Sequence, residues 1–126
     1  MANLKKKILV IDDEENLLRI LDARLQFAGY EVYTAHNGTD GLKKAALTTP
    51  HLVLLDIMMP DIDGFNVLLQ LKKNRKTRTS AVLMLTSKSE PEAIDRAINM
   101  GAVDYIVKPF TVGILLEKIG RAIGRK

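Results

Sequence analysis

A chain of 126 residues, 47% hydrophobic and 27% charged, has room for one domain and enough apolar content to build a core instead of remaining disordered. It contains no cysteine, which excludes disulfides, thiolate zinc sites and thiol catalysis. The net charge of +4 comes from 19 Lys and Arg against 15 Asp and Glu, and part of it gathers in Lys72, Lys73, Arg75, Lys76 and Arg78; with no aromatic residue interleaved, this stretch reads better as a solvated helix end than as a nucleic-acid surface.

At the N-terminus, Lys5-Lys6-Lys7 precedes Ile8-Leu9-Val10-Ile11 in the charge order of a signal peptide. The acidic run Asp12-Asp13-Glu14-Glu15 ends the apolar stretch too early for a leader, and no stretch nears the roughly 18–20 apolar residues of a membrane span. The cytoplasm is the expected compartment, without a membrane partner. Five short, β-branched apolar runs then punctuate the chain: Lys7–Ile11, Glu31–Ala35, Leu52–Leu55, Ala81–Thr86 and Asp104–Val107. Between and after them lie stretches with helical spacing. Glu15–Ala28 places Leu17, Leu18, Leu21, Leu25 and Ala28 on one face and stops at Gly29. Further helices are predicted at about Thr39 to Leu47, Phe65–Asn74, Pro91–Met100 and Val112–Gly124, the last with Thr111 as N-cap.

Five strands alternating with five helices predict an α/β fold, a parallel sheet with helices on both faces, forming one domain over residues 1–126. Ile8–Ile11, Leu52–Leu55 and Ala81–Leu85 are apolar without alternation, as central strands buried on two sides require, whereas Glu31–Ala35 is mixed and suits an edge. In such a sheet, ligands gather beyond the carboxyl ends of the strands. Asp12 and Asp13 follow the first strand, Asp56 the third, Thr86 and Ser87 close the fourth, and Lys108-Pro109 follow the fifth.

Clustered carboxylates repel unless a cation or protons intervene, and magnesium suits an oxygen-only set with positions left for phosphate oxygens. Lys108 adds positive charge and Thr86 a hydroxyl, an environment for a phosphoryl group carried on a carboxylate. Each piece alone has an ordinary explanation: an acidic pair caps helices, a lysine before proline is usually solvated, and threonine favours strands. Their joint placement at four of five strand ends is what carries the signal.

The segments Leu9-Val10-Ile11-Asp12-Asp13-Glu14, Asp56-Ile57-Met58-Met59-Pro60-Asp61-Ile62-Asp63-Gly64, Leu85-Thr86-Ser87 and Gly101-Ala102-Val103-Asp104-Tyr105-Ile106-Val107-Lys108-Pro109-Phe110 together resemble response-regulator receiver domains of two-component signalling, over nearly the whole chain. The resemblance implies a flavodoxin-like, doubly wound five-stranded sheet of order 2-1-3-4-5. It implies Asp56 as phosphoacceptor, Mg2+ held by Asp12, Asp13, Asp56 and the Met58 carbonyl, and Lys108 paired with the phosphoryl group before a cis bond to Pro109. Thr86 would be the switch hydroxyl and Tyr105 the aromatic that turns inward with it; read alone, Tyr105 is a half-buried strand aromatic.

Implied partners are a sensor histidine kinase or phosphotransfer protein upstream and a protein target or a missing effector domain downstream, with no direct nucleic-acid binding. The chain would act as a signalling receiver, not as an enzyme, promoting only its own phosphorylation and dephosphorylation. Output is expected through the fourth helix, fifth strand and fifth helix, as a monomer or weak dimer. There Asp104 and Lys118 fit a charged dimer pair, while Val103 and Ile114 stand where charges are common; Ile94 is expected in the core. Ser87 leaves a path to the acceptor, Met58 offers no side-chain group to orient water, and Lys88 is a cation two places after Thr86, so slow self-dephosphorylation is expected.

Three rivals fit less well. Haloacid-dehalogenase-like hydrolases place a second aspartate where this chain has Glu14. A flavodoxin-type phosphate loop would be repelled by Asp12-Asp13-Glu14. Calcium binding through Asp61-Ile62-Asp63-Gly64 lacks the downstream glutamate, which leaves that segment as a turn.

Overall fold

Strand and helix alternate along the chain in a computed structural model that describes residues 4–87 and 91–124. The elements are β1 (Lys7–Ile11), α1 (Glu15–Phe27), β2 (Glu31–Ala35), α2 (Gly38–Thr48), β3 (Leu52–Asp56), α3 (Gly64–Lys73), β4 (Ala81–Thr86), α4 (Pro91–Asn99), β5 (Asp104–Val107) and α5 (Val112–Ile123). All strand pairs are parallel, in the order β2-β1-β3-β4-β5. The predicted architecture and edge position of β2 therefore hold, with helix ends displaced by a residue or so.

The non-alternating strands are apolar throughout because each residue serves one of two cores. Ile8 and Val10 of β1, with Leu52, Leu54, Leu83 and Leu85, pack under Leu18, Leu21 and Leu25 of α1 and Leu115 and Ile119 of α5. Leu9 and Ile11, with Val53, Leu55, Val82 and Met84, face Ala45, Val67, Leu68, Leu71 and Ala97 of α2, α3 and α4. Burying one such leucine or isoleucine contributes about 1.5–3 kcal/mol, so both helical layers hold the sheet firmly.

Local signals set the helix ends. Among the described residues, side-chain caps begin three helices: Asn37 accepts from the Asp40 N–H, Asp63 from the Asn66 N–H, and Thr111 from the Ile114 N–H. Gly29 and Gly101 follow α1 and α4 at φ of +103° and +113°, a left-handed conformation that glycine adopts without a Cβ penalty. Thr49 at the end of α2 has φ of 45°, where a β-branched residue is strained.

The direction in which strands are added reverses at β1: β2 lies on one side and β3 on the other. The crevice at this switch point opens beyond the carboxyl ends of β1 and β3, where Asp12, Asp13 and Asp56 stand. No described helix is long and apolar enough to cross a membrane.

Candidate functional site

Asp12 and Asp13 leave β1, and Asp56 is the last residue of β3, one strand away. Each offers a carboxylate oxygen within 4.8 Å of the others. Asp12 is fully buried and Asp56 is 6% exposed, while Asp13 faces solvent. Helix capping does not explain the acidic pair. The N-cap of α1 is Glu14, which makes no side-chain cap bond, and Asp12 instead accepts from the Glu14 N–H at 3.0 Å.

Lys108 reaches this cluster from β5. Its Nζ lies 2.7 Å from Asp12 Oδ2, 3.5 Å from Glu14 Oε1 and 3.6 Å from Asp56 Oδ2. The Lys108 backbone N–H donates to the Thr86 carbonyl at 2.7 Å, which fastens the start of this loop to the end of β4. The Lys108–Pro109 bond is cis, as expected. Burial draws the Lys108 ammonium down, but the Asp12 hydrogen bond and the charges of Asp56, Asp12 and Glu14 outweigh it and raise the group overall.

Asp56 is pushed up to about 6. Burial is the main cause and the Asp12 charge the next, against the lowering influence of Lys108 and of the Met58 N–H, which donates to Asp56 Oδ1 at 3.3 Å. One lysine thus does not neutralise the cluster. The donor set is all oxygen and strongly anionic, which fits a hard divalent cation and no soft metal.

Thr86 closes β4 and is 3% exposed; Tyr105 is half-buried on β5, and Lys118 Nζ sits 5.2 Å from its ring centroid. Lys118 also pairs with Asp104 at 3.1 Å, so within the monomer these two charges satisfy each other. Val103 and Ile114 are about half exposed, while Ile94 is half-buried. Lys88 lies outside the described residues. An open cleft of about 490 Å³ adjoins the cluster, with Ser87, Lys108 and Glu14 at its polar end and Leu17, Leu21 and Phe110 among its walls.

The candidate residues Asp12, Asp13, Asp56, Met58, Thr86 and Lys108 thus meet at the carboxyl edge of the sheet, with Tyr105 two residues before Val107, the β5 residue that pairs with Thr86. Two residues escaped sequence reasoning. Glu14 approaches Lys108, which its place in the acidic run could have suggested. Asp61 binds the start of α2, and no local signal announces a contact across more than twenty residues.

A five-stranded parallel sheet with acids, a hydroxyl residue and a lysine at its carboxyl edge defines a receiver-type signalling domain. The family model of the response regulator receiver domain matches residues 8–120, and the chain belongs to that family, a signalling family of two-component systems. Among its relatives, the alkaline phosphatase synthesis transcriptional regulatory protein PhoP of Bacillus subtilis is 42% identical over 86% of this chain and 44% of its own length. Response regulator ArlR of Staphylococcus saprophyticus is 37% identical over 95% and 53%. The chain spans about half the length of the curated relatives it matches. Among solved structures, the chemotaxis protein CheY4 of Vibrio cholerae superposes with a TM-score of 0.90 at 31% identity, covering 94% of this chain and 99% of that one. DrrB of Thermotoga maritima, an OmpR/PhoB homologue, gives 0.83 at 35% identity over 94% and 52%.

Proposed function

We propose that the protein is a phosphorylation-activated receiver in which Asp56 accepts a phosphoryl group from a histidine kinase, a phosphotransfer protein or a small phosphodonor. The observation that carries this reading is the joining of three carboxylates within 4.8 Å to a lysine that touches two of them. Asp12, Asp13, Asp56 and the Met58 carbonyl would hold magnesium. Its double charge, when bound, would neutralise the carboxylates and the incoming phosphoryl oxygens.

An ionised Asp56 oxygen attacks phosphorus, the new O–P bond forms, and the donor's P–N or P–O bond breaks with its electron pair leaving on the donor. Lys108 lies 3.6 Å from Asp56 Oδ2 and can shift from Asp12 toward a phosphoryl oxygen. Phosphorylation adds nearly two negative charges and three acceptor oxygens. This favours the state in which Thr86 turns toward the phosphoryl group and Tyr105 moves inward behind it. The output face would be α4, β5 and α5, acting on a protein partner or a linked effector. Two of the relatives above are gene or response regulators by name, which agrees with an effector-coupled role.

Intact mass after incubation with acetyl phosphate, with and without magnesium, tests the chemistry. A magnesium-dependent gain of one phosphoryl group in the wild type, absent from Asp56→Asn, is expected. No gain in the wild type would refute the proposal and leave a binding module without phosphoryl chemistry.

A further inference from the structure

The first turn of an α-helix leaves N–H groups without intrahelical partners. At the start of α2 these groups are shared between two caps of different origin. The local cap, Asn37, takes the Asp40 N–H at 2.7 Å. The Gly38 and Thr39 N–H groups, at 2.9 Å each, and the Thr39 hydroxyl, at 2.8 Å, all donate to the carboxylate of Asp61. Asp61 belongs to the loop between β3 and α3, more than twenty residues away in sequence.

That loop is also closed at its base. The Gly64 N–H donates to the Ile57 carbonyl at 2.6 Å. Only a glycine permits this approach, since a Cβ on Gly64 would lie 2.4 Å from the Asp56 carbonyl oxygen and 2.6 Å from Ile57 Cα. The tip and α3 also pack tightly on α2, though less closely: a Cβ on Gly38 would stand 3.1 Å from Ile62 Cβ and 3.0 Å from Val67 Cγ2. Met58 lies between the closed base and the tied tip.

From this double restraint we infer that Asp61 is a positioning residue for the metal side of the site: its carboxylate straps the loop bearing Met58 onto the start of α2. The inference rests on the reading of the acidic cluster as a magnesium site. A loop held at both ends has little freedom to lose when the Met58 carbonyl is recruited. Released at its tip, the loop must be ordered during binding, and affinity falls by that ordering cost. The Thr39 and Gly38 N–H groups hold the Asp61 carboxyl well below the usual range, as three donors around one carboxylate require.

A cap that served α2 alone would leave magnesium affinity untouched, and this separates the two roles. NMR-monitored Mg2+ titration of the wild type, Asp61→Ala, Asp61→Asn and Thr39→Val provides the test. Asp61→Ala is expected to raise the Mg2+ Kd roughly tenfold, the lower end of the effect of removing a supporting partner of a metal ligand. Asp61→Asn retains one acceptor oxygen and should fall between it and the wild type. Thr39→Val loses one of the three bonds and should show the smallest change in the same direction.

Wild-type affinity in Asp61→Ala, with the Gly38 and Thr39 amides newly exchanging, would overturn the proposal. If Asp61→Ala does not fold, the same criterion applied to Asp61→Asn and Thr39→Val decides. A wild type that binds no Mg2+ would sink the metal-site reading and this proposal with it, an outcome distinct from a strap that proves irrelevant to an existing site.

Discussion

Replacing Asp56 by asparagine should stabilise the metal-free protein, although it abolishes the proposed acceptor. The Asp56 carboxyl is raised from 3.8 to about 6 by its surroundings, so the folded site disfavours its charge. Two pKa units at about 1.4 kcal/mol each amount to about 3 kcal/mol at neutral pH. With Asp56 only 6% exposed, solvent screening discounts this modestly, to about 2–3 kcal/mol. Asparagine is isosteric and keeps an oxygen for the Met58 N–H, so little opposes the gain.

The sign follows from the direction of the shift. Because the folded value exceeds the unfolded one, wild type and mutant should be nearly equal below about pH 4. Their difference opens as the pH rises from about 4 to about 6, the window between the unfolded and folded values, and is complete above about pH 7. Thermal unfolding in EDTA from pH 4 to 8 measures it, with an expected separation on the order of 10 °C at pH 7.5. Added magnesium should shrink or reverse the separation, since the wild type would then bind a stabilising ligand. A mutant no more stable than wild type in EDTA at pH 7.5, or a difference indifferent to pH, would refute the reasoning.

The opposite result is expected for Lys108→Ala. It leaves the fully buried Asp12 beside Asp56 without its cation, and urea unfolding in EDTA should show a loss of about 3 kcal/mol, in contradiction to a loss below about 1. Thr49→Gly relieves a left-handed β-branched residue and should raise stability by about 0.5–1 kcal/mol; a loss in the same assay would mean that the Thr49 hydroxyl bond to the Thr48 carbonyl outweighs the strain. The Met58 side chain is 57% exposed and brings no polar group to an attacking water, so the phosphorylated protein should outlast seconds at room temperature by intact mass, and Met58→Asn should shorten its lifetime. Decay of the wild type within seconds would exclude this reading.

The element order and the sheet class were legible because the patterns are strong. Ile8–Ile11 and Leu52–Leu55 are apolar at every position, which only a strand buried on both sides needs, and Glu31–Ala35 showed its edge position by its mixed character. Gly29 and Thr111 announced helix ends through backbone freedom and hydroxyl capping, both local effects. The acids, hydroxyl and lysine at the strand ends were legible for the same reason: in a parallel sheet, position after a strand is position at the edge.

What the chain's sequence determined by itself is therefore what depends on near neighbours: periodicity, capping, and which side chains reach the carboxyl edge. The tertiary structure alone decided how those side chains pair across the edge. It set Lys108 on Asp12 ahead of Asp56, drew Glu14 toward the same ammonium, and turned Lys118 onto Asp104 within one monomer. It also joined Asp61 to α2, a contact that no periodicity encodes. Charges and hydrogen-bond donors act across space, and two groups far apart in sequence are matched only once the strands between them are laid side by side.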